Sequence, residues 1–309
     1  MSSIWTMGEL LVEIMRPRAD MPHDVPGEYL GPYPSGAPAI FIDTAARLGI
    51  NAGIIGGVGN DGFGQNLLQR LEKDGVILSH VLQLDEGSTA VAFVMYRDDG
   101  SRQFIFHIKG TPATRAKMPS QPISDVGFFH VMGCSLTTDP GFCEEIIHTT
   151  HQMKENGAKI SFDPNIRPEL LQGDLKAIIQ PVLENCSVLL PGVDELLTIA
   201  EADTIDASVE KLFKNPLLEV IVLKQGARGC DIITRENREH IPAYKVIQVD
   251  ATGAGDCFDA AFLCGLLKGK SLGEAARMAA AAGALNAMAF GPMEGDISPE
   301  TIENMISSQ

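Results

Sequence analysis

The sequence predicts an α/β fold: a doubly wound, mostly parallel sheet flanked by helices, with a small antiparallel β lid. Three observations carry this. Short apolar runs of strand length alternate with segments of helical period along most of the chain. The 309 residues contain no repeat, low-complexity tract or linker that would divide them, so residues 1–309 are expected to form a single domain. Two stretches break the alternation: 15–34 is rich in Pro and Gly, and 88–108 has the pattern of two strands around a tight turn.

Taken in order, residues 4–14 read as a first strand. Residues 39–48 have apolar side chains at helical spacing and stop at Gly49. A strand at 52–58 and a helix at 65–73, closed by Gly75, follow. Further strands are expected at 126–132, 159–162, 187–190 and 220–223, with helices between them. Asp98-Asp99-Gly100-Ser101 between two apolar runs predicts a hairpin. The two irregular stretches, about 13–35 and 87–112, are expected to form the lid. Residues 243–249 read as extended and lead into a helix with Phe258, Ala261, Phe262 and Leu266 on one face. Ser271-Leu272-Gly273-Glu274 is a capping box opening an alanine-rich helix through Ala287.

Composition narrows the partners. Hydrophobic content of 45% and charged content of 21% are ordinary for a soluble globular protein. No apolar run has the length of a membrane span, and the first residues lack the basic-then-apolar order of a signal peptide. The six cysteines are scattered and none forms a Cys-x-x-Cys pair, which fits reduced thiols and a cytoplasmic location. A net charge of −16 disfavours nucleic acid as a partner. Any phosphate site must therefore be made locally positive by backbone amides, a few basic side chains and a metal ion.

Thr252-Gly253-Ala254-Gly255-Asp256 has the composition of such a site. Small residues where an extended segment meets a helix leave the amides of residues 253–256 uncovered at the positive end of the helix dipole. That is an anion hole for a transferring phosphoryl group. Asp256 at its mouth has two open roles: a base taking a proton from an attacking hydroxyl, or a first-turn acid that only complements the dipole.

Residues 250–258, Asp-Ala-Thr-Gly-Ala-Gly-Asp-Cys-Phe, resemble the C-terminal signature of the ribokinase-like, or PfkB, carbohydrate kinases. Other segments agree in the family's order: 8–13, 35–39 (the sugar loop), 56–64, 163–167 and 224–229. The resemblance implies an ATP- and Mg2+-dependent transfer to a hydroxyl of a ketose or a 2-keto-3-deoxy sugar acid. Asp256 would be the base, and Gly253, Ala254 and Gly255 would hold the γ-phosphate. Glu13, Gly36, Ala37, Asn165, Arg167 and Lys109 would face the sugar. Arg167 is also open to a structural role, and Lys109 to a solvated one. Lys224, Gly226, Gly229, Thr252 and Gly283 would line the nucleotide. Glu195 would influence Mg2+ indirectly, and Asp250 would belong to a monovalent-cation loop, raising possible dependence on K+. A homodimer joined through the lids is a further implication. Ile40, Glu13 and Gly192 depart from the family's commoner Asn, Asp and Asn.

Other readings differ in class. A nucleoside or another small alcohol could be the acceptor on the same fold. A binding regulator would keep the fold and lose the base, and Asp256 is present. Gly57-Val58-Gly59-Asn60-Asp61-Gly62 has the glycines of a dinucleotide fingerprint, but an NAD-dependent oxidoreductase leaves residues 252–256 unexplained.

Overall fold

The computed structural model describes residues 2–98 and 101–308. Its strands are β1 (Ser3–Met7), β2 (Leu11–Met15), β3 (Leu30–Ser35), β4 (Ala52–Gly59), β5 (Ile77–Leu84), β6 (Ala90–Tyr96), β7 (Arg102–His107), β8 (Val126–Met132), β9 (Lys159–Asp163), β10 (Cys186–Leu189), β11 (Val220–Lys224), β12 (Cys230–Ile233) and β13 (Arg238–Ile241). The α-helices are α1 (Ala37–Arg47), α2 (Gly62–Lys73), α3 (Gly133–Leu136), α4 (Pro140–Glu155), α5 (Leu175–Leu183), α6 (Val193–Ala200), α7 (Ile205–Leu212), α8 (Ala254–Leu267), α9 (Leu272–Ala287) and α10 (Pro299–Ser308).

Nine strands form the main sheet in the order β13-β12-β11-β10-β9-β8-β1-β4-β5. It is parallel from β11 to β5, and β12 and β13 add an antiparallel edge. Helices cover both faces, so its strands are buried on both sides. β11 shows the result: Val220 and Val222 enter one apolar core, Ile221 and Leu223 the other. The first core holds Phe41 of α1 and Phe262 of α8; the second holds Phe142 of α4 and Ile179 of α5.

The expected first strand is in fact two. β1 lies in the main sheet, whereas β2 belongs to a second, four-stranded sheet of order β3-β2-β6-β7. The chain changes sheets at Gly8, where a Cβ would stand 2.3 Å from Pro38 Cγ and 2.6 Å from Ser135 Oγ. Apolar continuity hid a break imposed by this close approach. In the small sheet the outer pairs are antiparallel, and the central pair β2–β6 runs parallel. The hairpin closes with Tyr96 opposite Arg102; Asp99 and Gly100 of its expected turn lie outside the described residues.

Residues 243–249 form no strand. They run along the surface, with Ile247 and Val249 exposed, until Val249 N–H meets Ala287 O at 2.8 Å. α8 and α9 pack closely because small residues face each other: a Cβ on Gly265 would lie 2.8 Å from Ala275 Cβ. The capping box at Ser271 and Glu274 is present.

Candidate active site

Gly253 is the N-cap of α8, with φ +78°. That conformation suits glycine, and a Cβ there would stand 2.3 Å from Pro292 O. The preceding carbonyl, Thr252 O, accepts a 2.7 Å hydrogen bond from Asn286 Nδ2 of α9, and Asn286 Oδ1 accepts from Gly295 N. This clamp sets the turn. Cys257 N–H makes the first helical bond back to Gly253 O. The amide of Ala254 turns to Ala251 O at 3.3 Å. The donors left for an anion are therefore those of Gly253, Gly255 and Asp256, rather than an unbroken run through Ala254.

Asp256 is buried, 6% exposed. Its Oδ1 accepts from Asn165 Nδ2 at 3.1 Å. Asn165 has φ +39°, tolerable for Asn, and its own amide donates to Asp163 Oδ1 at 3.1 Å. Burial, and then the charge of Asp163, push the Asp256 carboxyl up to about 7, against the pull of Arg167, Lys224 and Arg102. A carboxyl held near neutrality is suited to exchange a proton.

Lys224, at the end of β11, lies behind the turn; a Cβ on Gly255 would be 3.8 Å from its Nζ. The ammonium pairs with Asp163 at 2.8 Å and Asp259 at 3.0 Å. Burial opposes charge on Asp163, but Lys224 holds it below the usual carboxylate range. Burial dominates at Asp259 and raises it. Lys224 thus neutralises a buried acidic pair first and adds positive potential beneath the turn second.

A cleft between the two sheets leads to Asp256. Glu13, Gly36, Ala37, Asn165, Arg167, Thr252 and Gly253 all line it, as do Glu9, Ile40, Arg102, Phe104 and Phe106. Glu13 receives Ser35 Oγ at 2.8 Å on one oxygen, while the other is buried without a partner. Burial lifts this carboxyl to about 7. Glu9 is held by Ser135 Oγ and Cys134 Sγ. Gly36 takes φ +103°, and a Cβ would stand 2.5 Å from Glu9 O, so the sugar loop can pass here only as glycine.

Other expected residues lie elsewhere. Lys109 is exposed, with its amine 3.4 Å from Gln172 Oε1, outside the cleft lining. Gly226 is on the exposed turn after β11, and Gly229 brings that turn against Ile241 O. Gly283 lets α9 approach Ala254 O, where a Cβ would be 3.0 Å away. Glu195 spends both oxygens on the amides of Ile166 (2.9 Å) and Gly192 (2.7 Å). Asp250 accepts from Thr252 N, Gly291 N and Tyr96 Oη. No cluster of three or more His, Cys, Asp or Glu able to hold a metal is found among the described residues. A magnesium ion brought by a nucleotide would thus be held chiefly by phosphate oxygens and water. Glu195 would reach such an ion only through water, since amides occupy both of its oxygens.

Arg102, Tyr96, Asp259 and Asn286 also stand at the site, and no motif in the sequence marks them. The i, i+3 pair Asp256 and Asp259 on one helical face was a visible signal. Asn286 in an alanine-rich helix was another. Arg102 and Tyr96 approach the loop only through the pairing of β6 with β7.

Comparisons with known proteins place the chain in a family. The family model for pfkB family carbohydrate kinases matches residues 1–298. Fructokinase-1 of Oryza sativa subsp. japonica is 32% identical over 268 residues, 82% of this chain and 82% of its own length. Among solved structures, an Escherichia coli protein termed Ribokinase II, in complex with ATP and Mg2+, superposes with a TM-score of 0.91 at 36% identity over 100% of both chains. Fructokinase of Vibrio cholerae O395, a double mutant bound to fructose, ADP and potassium, gives 0.88 at 25% identity, covering 99% of this chain and 98% of that one. The chain belongs to the pfkB family of carbohydrate kinases. It is a phosphotransferase with a sugar hydroxyl as acceptor. Among the described residues no helix is long and apolar enough to cross a membrane.

Proposed function

We propose that this kinase transfers the γ-phosphoryl group of ATP to a hydroxyl of a ketose, with Asp256 as general base. The observation that carries the reading is the joint placement of Asp256 and Gly253 in the lining of the cleft, with Gly253 opening α8. Glu13, Glu9, Asn165 and Arg167 supply that cleft with the polar groups a sugar's hydroxyls need. The fructokinases among the relatives support a ketose.

Asn165 holds the Asp256 carboxylate in place, and the acceptor hydroxyl donates to its free oxygen. As the acceptor oxygen forms its bond to the γ-phosphorus, the bond to the ADP oxygen breaks and the proton passes to Asp256. The three open amides take up charge on the phosphoryl oxygens. Magnesium, when bound, neutralises the phosphates. The small sheet acts as a lid over the cleft and excludes water, which limits wasteful hydrolysis. The adenine lies along Ile247, Val249 and Met288, exposed apolar side chains of the 243–249 segment and of the C-cap of α9.

A second reading, a 2-keto-3-deoxy sugar acid as acceptor, is favoured by one feature. Two guanidinium groups, Arg102 and Arg167, line a single small cleft. ADP release measured over fructose, tagatose, 2-keto-3-deoxygluconate, ribose and nucleosides separates these readings. A ketose should give the highest kcat/KM, and a nucleoside giving it would overturn the proposal. If an acid sugar leads, Arg167→Ala should raise its KM at least tenfold more than that of a neutral ketose; equal effects would leave Arg167 a loop-pinning residue.

A further inference from the structure

The small sheet touches the phosphoryl-transfer loop directly. Tyr96, the last residue of β6, places its hydroxyl 2.9 Å from Asp250 Oδ2 and 3.0 Å from Thr252 Oγ1. Arg102, paired opposite it on β7, donates from Nη1 to the same Thr252 hydroxyl at 3.1 Å. Asp250 in turn receives the amide of Thr252 at 2.9 Å on one oxygen and that of Gly291 at 3.0 Å on the other. Gly253 follows at once, and its left-handed turn aims the open amides. Phe290 provides an aromatic seat for the contact, with Tyr33 at 5.9 Å and Tyr96 at 6.4 Å between ring centroids.

We propose that Tyr96 is a positioning residue for phosphoryl transfer: its hydroxyl ties the lid to the Asp250–Thr252 loop, so lid closure over the sugar orders the anion hole. The proposal rests on the kinase reading above. The chemistry needs no new group. A buried phenol between a carboxylate and a hydroxyl stays protonated, because burial and then the Asp250 charge raise it further from ionisation. Its one proton goes to Asp250 Oδ2, so it accepts from the Thr252 hydroxyl, whose oxygen in turn accepts from Arg102 Nη1. The latch ties the small sheet to the loop before α8, beside the Arg102–Thr252 bond and the ring contacts on Phe290. It thus couples the sugar end of the cleft to the phosphate end through a two-state element.

Tyr96→Phe removes the hydroxyl and keeps the ring on Phe290. It should lower kcat about tenfold or more while changing the KM for the sugar less than threefold, because sugar contacts are untouched. Thr252→Val should cause a similar loss, and the double variant should be no worse than the poorer single one. Amide hydrogen exchange in the peptide covering residues 250–256 should speed up about tenfold in Tyr96→Phe, a readout that needs no substrate. A kcat within twofold of wild type, additive losses, or unchanged exchange would each overturn the latch. Failure of the wild-type chain to phosphorylate any sugar would fall on the kinase reading instead, and the exchange measurement would still decide the latch. If Tyr96→Phe failed to fold, Thr252→Val would supply the kcat and exchange comparison.

Discussion

At neutral pH the Asp256 carboxyl stands near the middle of its titration, since burial and the nearby Asp163 charge raise it to about 7. A general base works only when deprotonated. The kcat/KM of the enzyme should therefore fall about tenfold per pH unit below about pH 7 and level off above it. A profile flat down to pH 5 would remove Asp256 from the base role. Asp256 itself was legible as an acid beside small residues. Its partner Asn165, and the diversion of the Ala254 amide to Ala251 O, were not. Both depend on loop geometry that composition does not encode. The sequence marks Lys224 for the nucleotide, whereas its pairing with Asp163 and Asp259 depends on β9, β11 and α8 lying side by side.

Among the elements, α1, α2 and the 291–295 loop form a clamp on the catalytic turn. Arg70 of α2 donates to Met293 O at 2.6 Å and pairs with Asp43 of α1 at 3.4 Å. Arg47 reaches Gly295 O at 2.7 Å. The same loop carries the amides of Gly291 and Gly295 to Asp250 and Asn286. Asp43 is 1% exposed, so losing Arg70 leaves a buried carboxyl short of a partner. Arg70→Ala should destabilise the fold by about 2–4 kcal/mol in urea unfolding. A loss below about 0.5 kcal/mol would mean that the clamp contributes nothing. Helices were the most legible elements, because α1, α2, α8 and α9 carry strong periodicity or caps. The break between β1 and β2 was not legible, since its cause, contact of Gly8 with Pro38 and Ser135, is tertiary.

Across the whole molecule, buried acids set the response to pH. Burial raises Glu13, Asp43 and Asp256 to about 7. Each binds a proton more tightly in the folded chain, so the stability it adds is full below its unfolded pKa and disappears as pH rises through about 7. His130, held down at about 3 by burial, works the other way below its unfolded value. Three acids outweigh one imidazole, so the unliganded protein should melt at a lower temperature at pH 8 than at pH 5.5. A melting temperature that rises over that interval would refute the balance. The net charge of −16 adds repulsion in the same direction. The parallel sheet with helices on both faces was readable from alternation alone. That the cleft lies between two separate sheets was only suggested by the irregular stretches at 15–34 and 88–108. We propose that the outer edge β7, with Ile105 exposed, joins two lids in a dimer; a light-scattering mass of a single chain at micromolar concentration would dismiss it.

The most direct test of the site is Asp256→Asn. The amide matches the carboxylate in shape, and its oxygen can still accept from Asn165, so the cleft should stay intact. Turnover and sugar affinity, measured on the same preparation, should part: kcat should fall about 10²–10⁴-fold while the sugar dissociation constant stays within about threefold. Turnover within tenfold of wild type would contradict Asp256 as the base.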